Sequence, residues 1–204
     1  YNALSTEDAH GSNTAIGYQA LTTLDAGIEG YNVAIGYNAG QDMSTGQRNT
    51  LIGTAAGANL TTGSYNIGIG YEALATEDAH GRNVAIGYQA LAVQNAGQDG
   101  YNVAVGFYAG TAVTSGTANI LIGGNAGDAL TSGGDNVAIG YSALSTEDTH
   151  GKNVAIGYQA LEDQNAGANA YNVAIGYQAG KEVTTGTANT IVGGVAGDAL
   201  TDGG

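Results

Sequence analysis

The sequence Asn-Val-Ala-Ile-Gly-Tyr, or a close variant of it, begins at Asn13, Asn32, Asn49, Asn66, Asn83, Asn102, Asn119, Asn136, Asn153, Asn172 and Asn189. The intervals between these asparagines run 19, 17, 17, 17, 19, 17, 17, 17, 19, 17, so the pattern that starts at Asn13 starts again at Asn83 and at Asn153. A chain of near-identical short units stacks unit on unit, because each unit meets its own kind on both sides and has no single centre to close around. The chain 1–204 therefore reads as one repeat array of three 70-residue super-repeats, four units to each, cut from a longer chain.

Within a unit, Val33, Ile35 and Tyr37 alternate with Ala34, Gly36 and Asn38. Period-two alternation rich in β-branched residues predicts a strand of about six residues. No segment keeps apolar spacing at 3.6 for three turns, which argues against helix. The glycine after the second aliphatic residue recurs in every unit and marks a bend or a close backbone approach. Stacked about 4.8 Å apart, twelve such turns give a rod of roughly 58 Å, in which each backbone group pairs with the turns above and below. Each Val or Ile is expected to gain about 1.5–3 kcal/mol from burial inside it. Asparagine at one place in all eleven units is the pattern of an internal amide ladder. The expected fold is all-β, a parallel β-solenoid or β-roll with one turn per 17–19-residue unit.

Composition narrows the function. Against 18 acidic residues stand only Arg48, Arg82, Lys152 and Lys181, a net charge of −14. Binding to nucleic acid or to an anionic membrane needs clustered cations, so neither is expected. No apolar run reaches the roughly 18 residues of a membrane span. Cysteine is absent and leaves no mark of redox compartment.

Asn-Val-Ala-Ile-Gly, as at Asn153 to Gly157, resembles the head repeat of YadA-like trimeric autotransporter adhesins. The longer form Ala-Ile-Gly-Tyr-Gln-Ala-Leu/Gly with Thr-Gly turns is similar to repeats of phage tail fibres, those of marine phages especially. The adhesin unit is shorter than the units of this chain. The resemblance covers essentially the whole chain. It implies an intertwined homotrimeric fibre joined to flanking fibre domains, which holds a receptor-binding tip for a host glycan or receptor. It further implies a location on a virion or at a cell surface.

Three sets of residues are candidates for chemistry. The loop Ser5-Thr6-Glu7-Asp8-Ala9-His10 recurs at positions 75–80 and 145–150, but Ala75 replaces the serine, which removes a nucleophile from one copy. The acidic and imidazole groups Glu7, Asp8, His10, Glu77, Asp78, His80, Glu147, Asp148 and His150 form a weak candidate site for a divalent cation, against the plainer expectation of a solvated acidic loop; no other cofactor is expected. A first aromatic column comprises Tyr1, Tyr18, Tyr37, Tyr71, Tyr88, Phe107, Tyr141, Tyr158 and Tyr177, and a second comprises Tyr31, Tyr65, Tyr101 and Tyr171. Aromatic rows can bind sugars, but rings that fill and stiffen the rod are the commoner arrangement. A Gly-Gly-x-Gly-x-Asp calcium repeat is approached only at Gly133-Gly134-Asp135, and the threonines form no regular ice-binding rows.

The expectation is therefore a structural shaft without catalysis. The alternative is a monomeric left-handed β-helix that binds glycans. It fits the turn length, but its hexapeptide period fails: steps of six from Ile86 reach Ala92 and then the polar Gln98.

Overall fold

A computed structural model describes residues 1–6, 11–25, 27–77 and 79–202. Eleven strands of three residues each follow in order: β1 (Thr14–Ile16), β2 (Val33–Ile35), β3 (Thr50–Ile52), β4 (Ile67–Ile69), β5 (Val84–Ile86), β6 (Val103–Val105), β7 (Ile120–Ile122), β8 (Val137–Ile139), β9 (Val154–Ile156), β10 (Val173–Ile175) and β11 (Thr190–Val192). They form one parallel sheet in sequence order, β1 to β11. Equivalent residues lie side by side, as in Ala34↔Leu51 and Leu51↔Gly68. The chain is thus a β-solenoid of one strand per turn, and its eleven strands span about 48 Å at the spacing of a sheet. Among the described residues no helix is long and apolar enough to cross a membrane.

The strands are half the expected length because the backbone bends at both ends. Each strand is followed by glycine at positive φ, such as Gly36 at 144°. A Cβ at Gly36 would fall on the carbonyl oxygen of Gly53 in the next turn, so this bend is closed to any side chain. Two residues later a non-glycine residue takes the left-handed conformation, from Gln19 (φ 53°) to Val195 (φ 57°). From the second turn onward its N–H donates to the preceding turn, as from Asn38 to Tyr18 at 2.8 Å and from Ala55 to Tyr37 at 2.8 Å. Such conformations cost of order 1 kcal/mol each and persist where their surroundings fix them; here the ladder does so turn after turn.

The core overturns the expected burial. The central residue of the strand faces inward, and Ala34, Leu51, Ala85, Ala104, Leu121, Ala138, Ala155 and Ala174 are fully buried. The flanking Val and Ile face outward and remain half-buried or exposed, with Ile16 at 57% and Val192 at 67%. A turn this short encloses a channel that mostly admits alanine at the strand, so the larger β-branched side chains stand outside it.

Counting from the asparagine as zero, the interior is lined at offsets 0, +2, +7, +8 and +11, and size is complementary between these columns. Where +8 is leucine (Leu21, Leu74, Leu91, Leu144, Leu161), +2 is Ala or Gly. Where +2 is large (Leu51, Leu121, Ile191), +8 is glycine in that turn and in the one before it. The glycine is needed for volume rather than for its dihedral, since Leu21 adopts φ 50° where Gly40 adopts 58°. A Cβ on Gly110 would stand 2.6 Å from Leu121 Cδ1 and 3.0 Å from Leu91 Cδ2. The four-unit period is therefore a packing period. The two extra residues of each longer unit lie in its last loop, where Gly27, Gly97 and Gly167 face open space.

Gly110→Ala is expected to destabilise the rod by about 1–3 kcal/mol through overpacking, and Leu121→Ala by about 2–5 kcal/mol through a cavity. The double variant should lose clearly less than the sum. Thermal melts followed by circular dichroism measure all three, and strict additivity would refute the complementarity.

Candidate functional site

The asparagines form a continuous interior column, and the ladder is of a mixed kind. Each asparagine Oδ1 accepts the backbone N–H of the asparagine in the next turn. The chain runs Asn13 to Asn32 (2.9 Å), Asn49 (2.9 Å), Asn66 (2.9 Å), Asn83 (3.0 Å), Asn102 (3.1 Å), Asn119 (2.9 Å), Asn136 (3.0 Å), Asn153 (3.0 Å), Asn172 (3.1 Å) and Asn189 (2.8 Å). Direct amide-to-amide bonds supplement it in three steps, such as Asn119 Nδ2 to Asn102 Oδ1 at 3.1 Å. In the shorter units Nδ2 also reaches across its own turn to the carbonyl at +14: Asn102 to Gly116 at 2.9 Å, Asn172 to Gly186 at 2.7 Å. One side chain thus joins adjacent turns and closes its own.

The acidic loop is only partly the solvated face that its composition suggests: Thr146 and Thr149 are exposed and Asp148 and His150 half-buried, but its glutamate is buried. Glu77 and Glu147 are fully buried and occupy offset +11, the interior column that elsewhere holds Leu24, Met43, Leu60, Val113, Leu130 and Val183. Glu77 Oε1 accepts the backbone N–H of His80 at 3.3 Å, and its Oε2 accepts Asn83 Nδ2 at 3.2 Å. Glu147 Oε1 likewise accepts His150 N–H at 3.2 Å. In the next turn the same column is again polar, Gln94 and Gln164, whose Oε1 atoms accept Asn102 Nδ2 (3.1 Å) and Asn172 Nδ2 (2.7 Å). A polar layer two turns thick so interrupts the apolar core. Fixed offsets from the asparagine expose it in the sequence, since glutamate falls in register with leucine. Burial pushes the Glu147 carboxyl above its usual range, against a smaller opposing pull from the His150 N–H.

The candidate cation site divides. Glu7, Asp8, His10 and Asp78 lie outside the described residues. Glu147, Asp148 and His150 each place one ligand atom within 4.8 Å of the others. Two carboxylates and an imidazole suit a divalent ion. Thr149 Oγ1 lies 3.1 Å from Asp148 Oδ1 and 3.0 Å from His150 Nδ1, while the buried Glu147 Oε2 has no hydrogen-bond partner among the described residues.

The first aromatic column stacks, but outside the rod rather than filling it. Ring centroids are 6.0 Å apart for Tyr1–Tyr18, 5.1 Å for Tyr18–Tyr37 and for Tyr71–Tyr88, 5.2 Å for Tyr88–Phe107, 5.5 Å for Tyr141–Tyr158 and 5.3 Å for Tyr158–Tyr177. The runs of three break where the third unit places Thr54, Gly124 and Gly194. The second column is not a tyrosine row in its first half, because Arg48 and Arg82 stand between its rings.

Two outcomes test this geometry. Asn102→Ala orphans the Asn119 N–H and two buried acceptors, and should cost about 3 kcal/mol or more. Asn102→Asp keeps the acceptor but sets a carboxylate against the Gly116 carbonyl, so its stability deficit at pH 7 should shrink as pH falls; a deficit independent of pH would refute the donor role of Nδ2. The second concerns Glu147, whose folded chain binds its proton more tightly than the unfolded chain does. Its effect on stability is therefore most favourable below the unfolded pKa and fades as pH rises through the higher folded one. Melting temperature should rise on acidification from neutral toward the carboxylate range, and Glu147→Gln should flatten that slope; an unchanged slope would count against the buried carboxyl.

The chain matches no protein-family model, no curated protein and no solved structure, so any functional reading rests on its own residues.

Proposed function

We propose that this chain is a shaft segment of a homotrimeric fibre, of the phage tail-fibre or surface-adhesin kind that its repeats resemble. Its role is length and stiffness: it holds a receptor-binding tip away from a virion or a cell surface, and it performs no catalysis. Among the described residues no recess encloses a ligand.

The observation that carries this reading is the outward face of the strands. Offsets +1, +3 and +5 bear Val, Ile, Thr, aromatic residues or Gly in all eleven units, and never a charge, in a chain of net charge −14. Ile16, Tyr37, Phe107, Tyr141, Tyr177 and Val192 are each more than half exposed along it. An apolar stripe the length of the rod exceeds what a soluble monomer ordinarily leaves in water. It repeats at the spacing of the turns, and the partner with that spacing is another copy of the same chain. Three copies is the number that the resemblance implies.

Light scattering separates this reading from the monomeric glycan-binding β-helix: one chain has a mass of 20.2 kDa, and the trimer has three times that mass. Replacing outward Ile139 and Ile156 together by Asp should lower the mass to that of one chain while the β-sheet circular dichroism persists. A wild-type chain that runs as a monomer overturns the fibre reading.

A further inference from the structure

One column of the surface differs from the rest of the chain in charge. The residues just before five successive asparagines are Tyr31, Arg48, Tyr65, Arg82 and Tyr101. Arg48 lies over the rings of Tyr31 and Tyr65, at 5.8 and 5.3 Å from their centroids. Arg82 lies over Tyr65 and Tyr101, at 5.3 and 5.6 Å. Each guanidinium is held between two aromatic residues by attraction to their ring faces. Backbone bonds to the preceding turn fix the positions, from Arg48 N–H to Gly30 at 2.8 Å and from Tyr65 N–H to Gln47 at 3.0 Å. Beyond Ala118 and Asp135 the column carries Lys152, 4.0 Å from the Asp135 carboxylate and over Tyr171 at 5.7 Å, so it holds three of the four basic residues of the chain.

A guanidinium flanked by rings aims its N–H edge at acceptors in its own plane; Arg48 Nη1 donates one such bond to the Tyr65 hydroxyl at 2.8 Å, and its other N–H groups remain for a ligand. Arg82 shows which acceptor suits it: its Nε donates to the Asp99 carboxylate at 2.6 Å. Arg48 and Arg82 stand two turns apart, about 9.6 Å at the sheet spacing, which is close to the repeat of an extended disaccharide. Tyr31 and Tyr101 are each more than half exposed, and their neighbours at the ends of this run, Ser12 and Ala118, are small and exposed, which leaves room for a sugar against the rings.

We propose that the column from Tyr31 to Tyr101 is a docking stripe for an acidic polysaccharide with a carboxylate on every second sugar, the carboxylates meeting Arg48 and Arg82 and the intervening sugars lying along the tyrosines. Nucleic acid fits poorly, because a phosphate at every nucleotide would meet two arginines and a field of carboxylates. An acidic protein segment offers charge without the regular sugar faces. The proposal stands apart from the oligomeric reading, since it concerns residues that precede the asparagine while the apolar stripe follows it.

The test is titration calorimetry of the intact chain with hyaluronan oligosaccharides, set beside chitin oligosaccharides of equal length and a polyglutamate peptide. The hyaluronan probe should bind, with affinity that falls as salt rises. Arg48→Gln with Arg82→Gln should weaken it roughly tenfold or more, while Lys181→Gln in another column leaves it unchanged. Arg48→Lys with Arg82→Lys keeps the charge but not the planar fork, and should recover only part of the loss. A melting temperature measured for each variant separates lost binding from lost folding. The proposal is overturned if hyaluronan does not bind, if chitin oligosaccharides or polyglutamate bind equally well, or if the folded double Gln variant binds as the wild type does.

Discussion

Everything in this rod depends on the bond from one asparagine Oδ1 to the backbone N–H of the asparagine one turn on. At that bend the backbone N–H is inside the rod, away from water, and its acceptor comes from a side chain. A buried donor left without an acceptor costs about 1–3 kcal/mol, and ten consecutive turns raise the same demand. Alanine cannot meet it, and aspartate would lose the amide that reaches the +14 carbonyl. In the shorter units the residue is thus set by two simultaneous requirements, an acceptor along the axis and a donor across the turn. In the longer ones only the first recurs, since Asn83 Nδ2 turns to Glu77 and Asn153 Nδ2 has no partner among the described residues. Once it is fixed, equivalent residues must stand in one column, and the register of every other position follows.

In-register stacking creates its own difficulty, because identical side chains would fall directly over one another. The chain resolves this inside by staggering volume over four turns. Leucine at +8 gives way to glycine where leucine at +2 enters, so each large group lies against a small one. Dense packing of this sort leaves little room for an extra methyl. The polar layer of Glu147, Asn153, Gln164 and Asn172 fills the remaining phase of the same cycle. Outside, stacking is an advantage: tyrosines place rings at about the turn spacing, and arginine fits between two of them.

How much of this is legible in the sequence follows from which signal each feature leaves. The solenoid, its parallel register and the asparagine column are consequences of spacing, and spacing survives in a single sequence. The direction of the strand faces does not: alternation of Val, Ala and Ile says that two faces differ but not which one is inside. The usual expectation puts the bulkier aliphatic inward, and the narrow turn reverses it. Glu77 and Glu147 mislead for a related reason. Beside Asp148 and His150, Glu147 looks like part of a hydrophilic loop, and only its offset of eleven from Asn136 shows that it shares a column with leucines. Arg48 and Arg82 escape a reading that follows tyrosine as a residue type, because their place between the rings is visible only as an offset.

The exchange of faces has a consequence for how such a chain behaves. A globular domain hides its largest apolar groups and so needs no partner; this one hides mostly alanine, leucine and amide, and leaves Val, Ile and Tyr on its exterior. Its stability as a single chain therefore comes largely from ladder hydrogen bonds and from small-residue packing, both of which are local to neighbouring turns. The exterior stripe adds hydrophobic free energy only when something covers it, and in the proposed fibre a second rod with the same repeat would cover it along its whole length. Acidic residues scattered elsewhere on the surface oppose contact on the other faces through like-charge repulsion. In the proposed fibre, then, the same repeat period does two jobs: it closes each turn on itself and it matches one chain to the next.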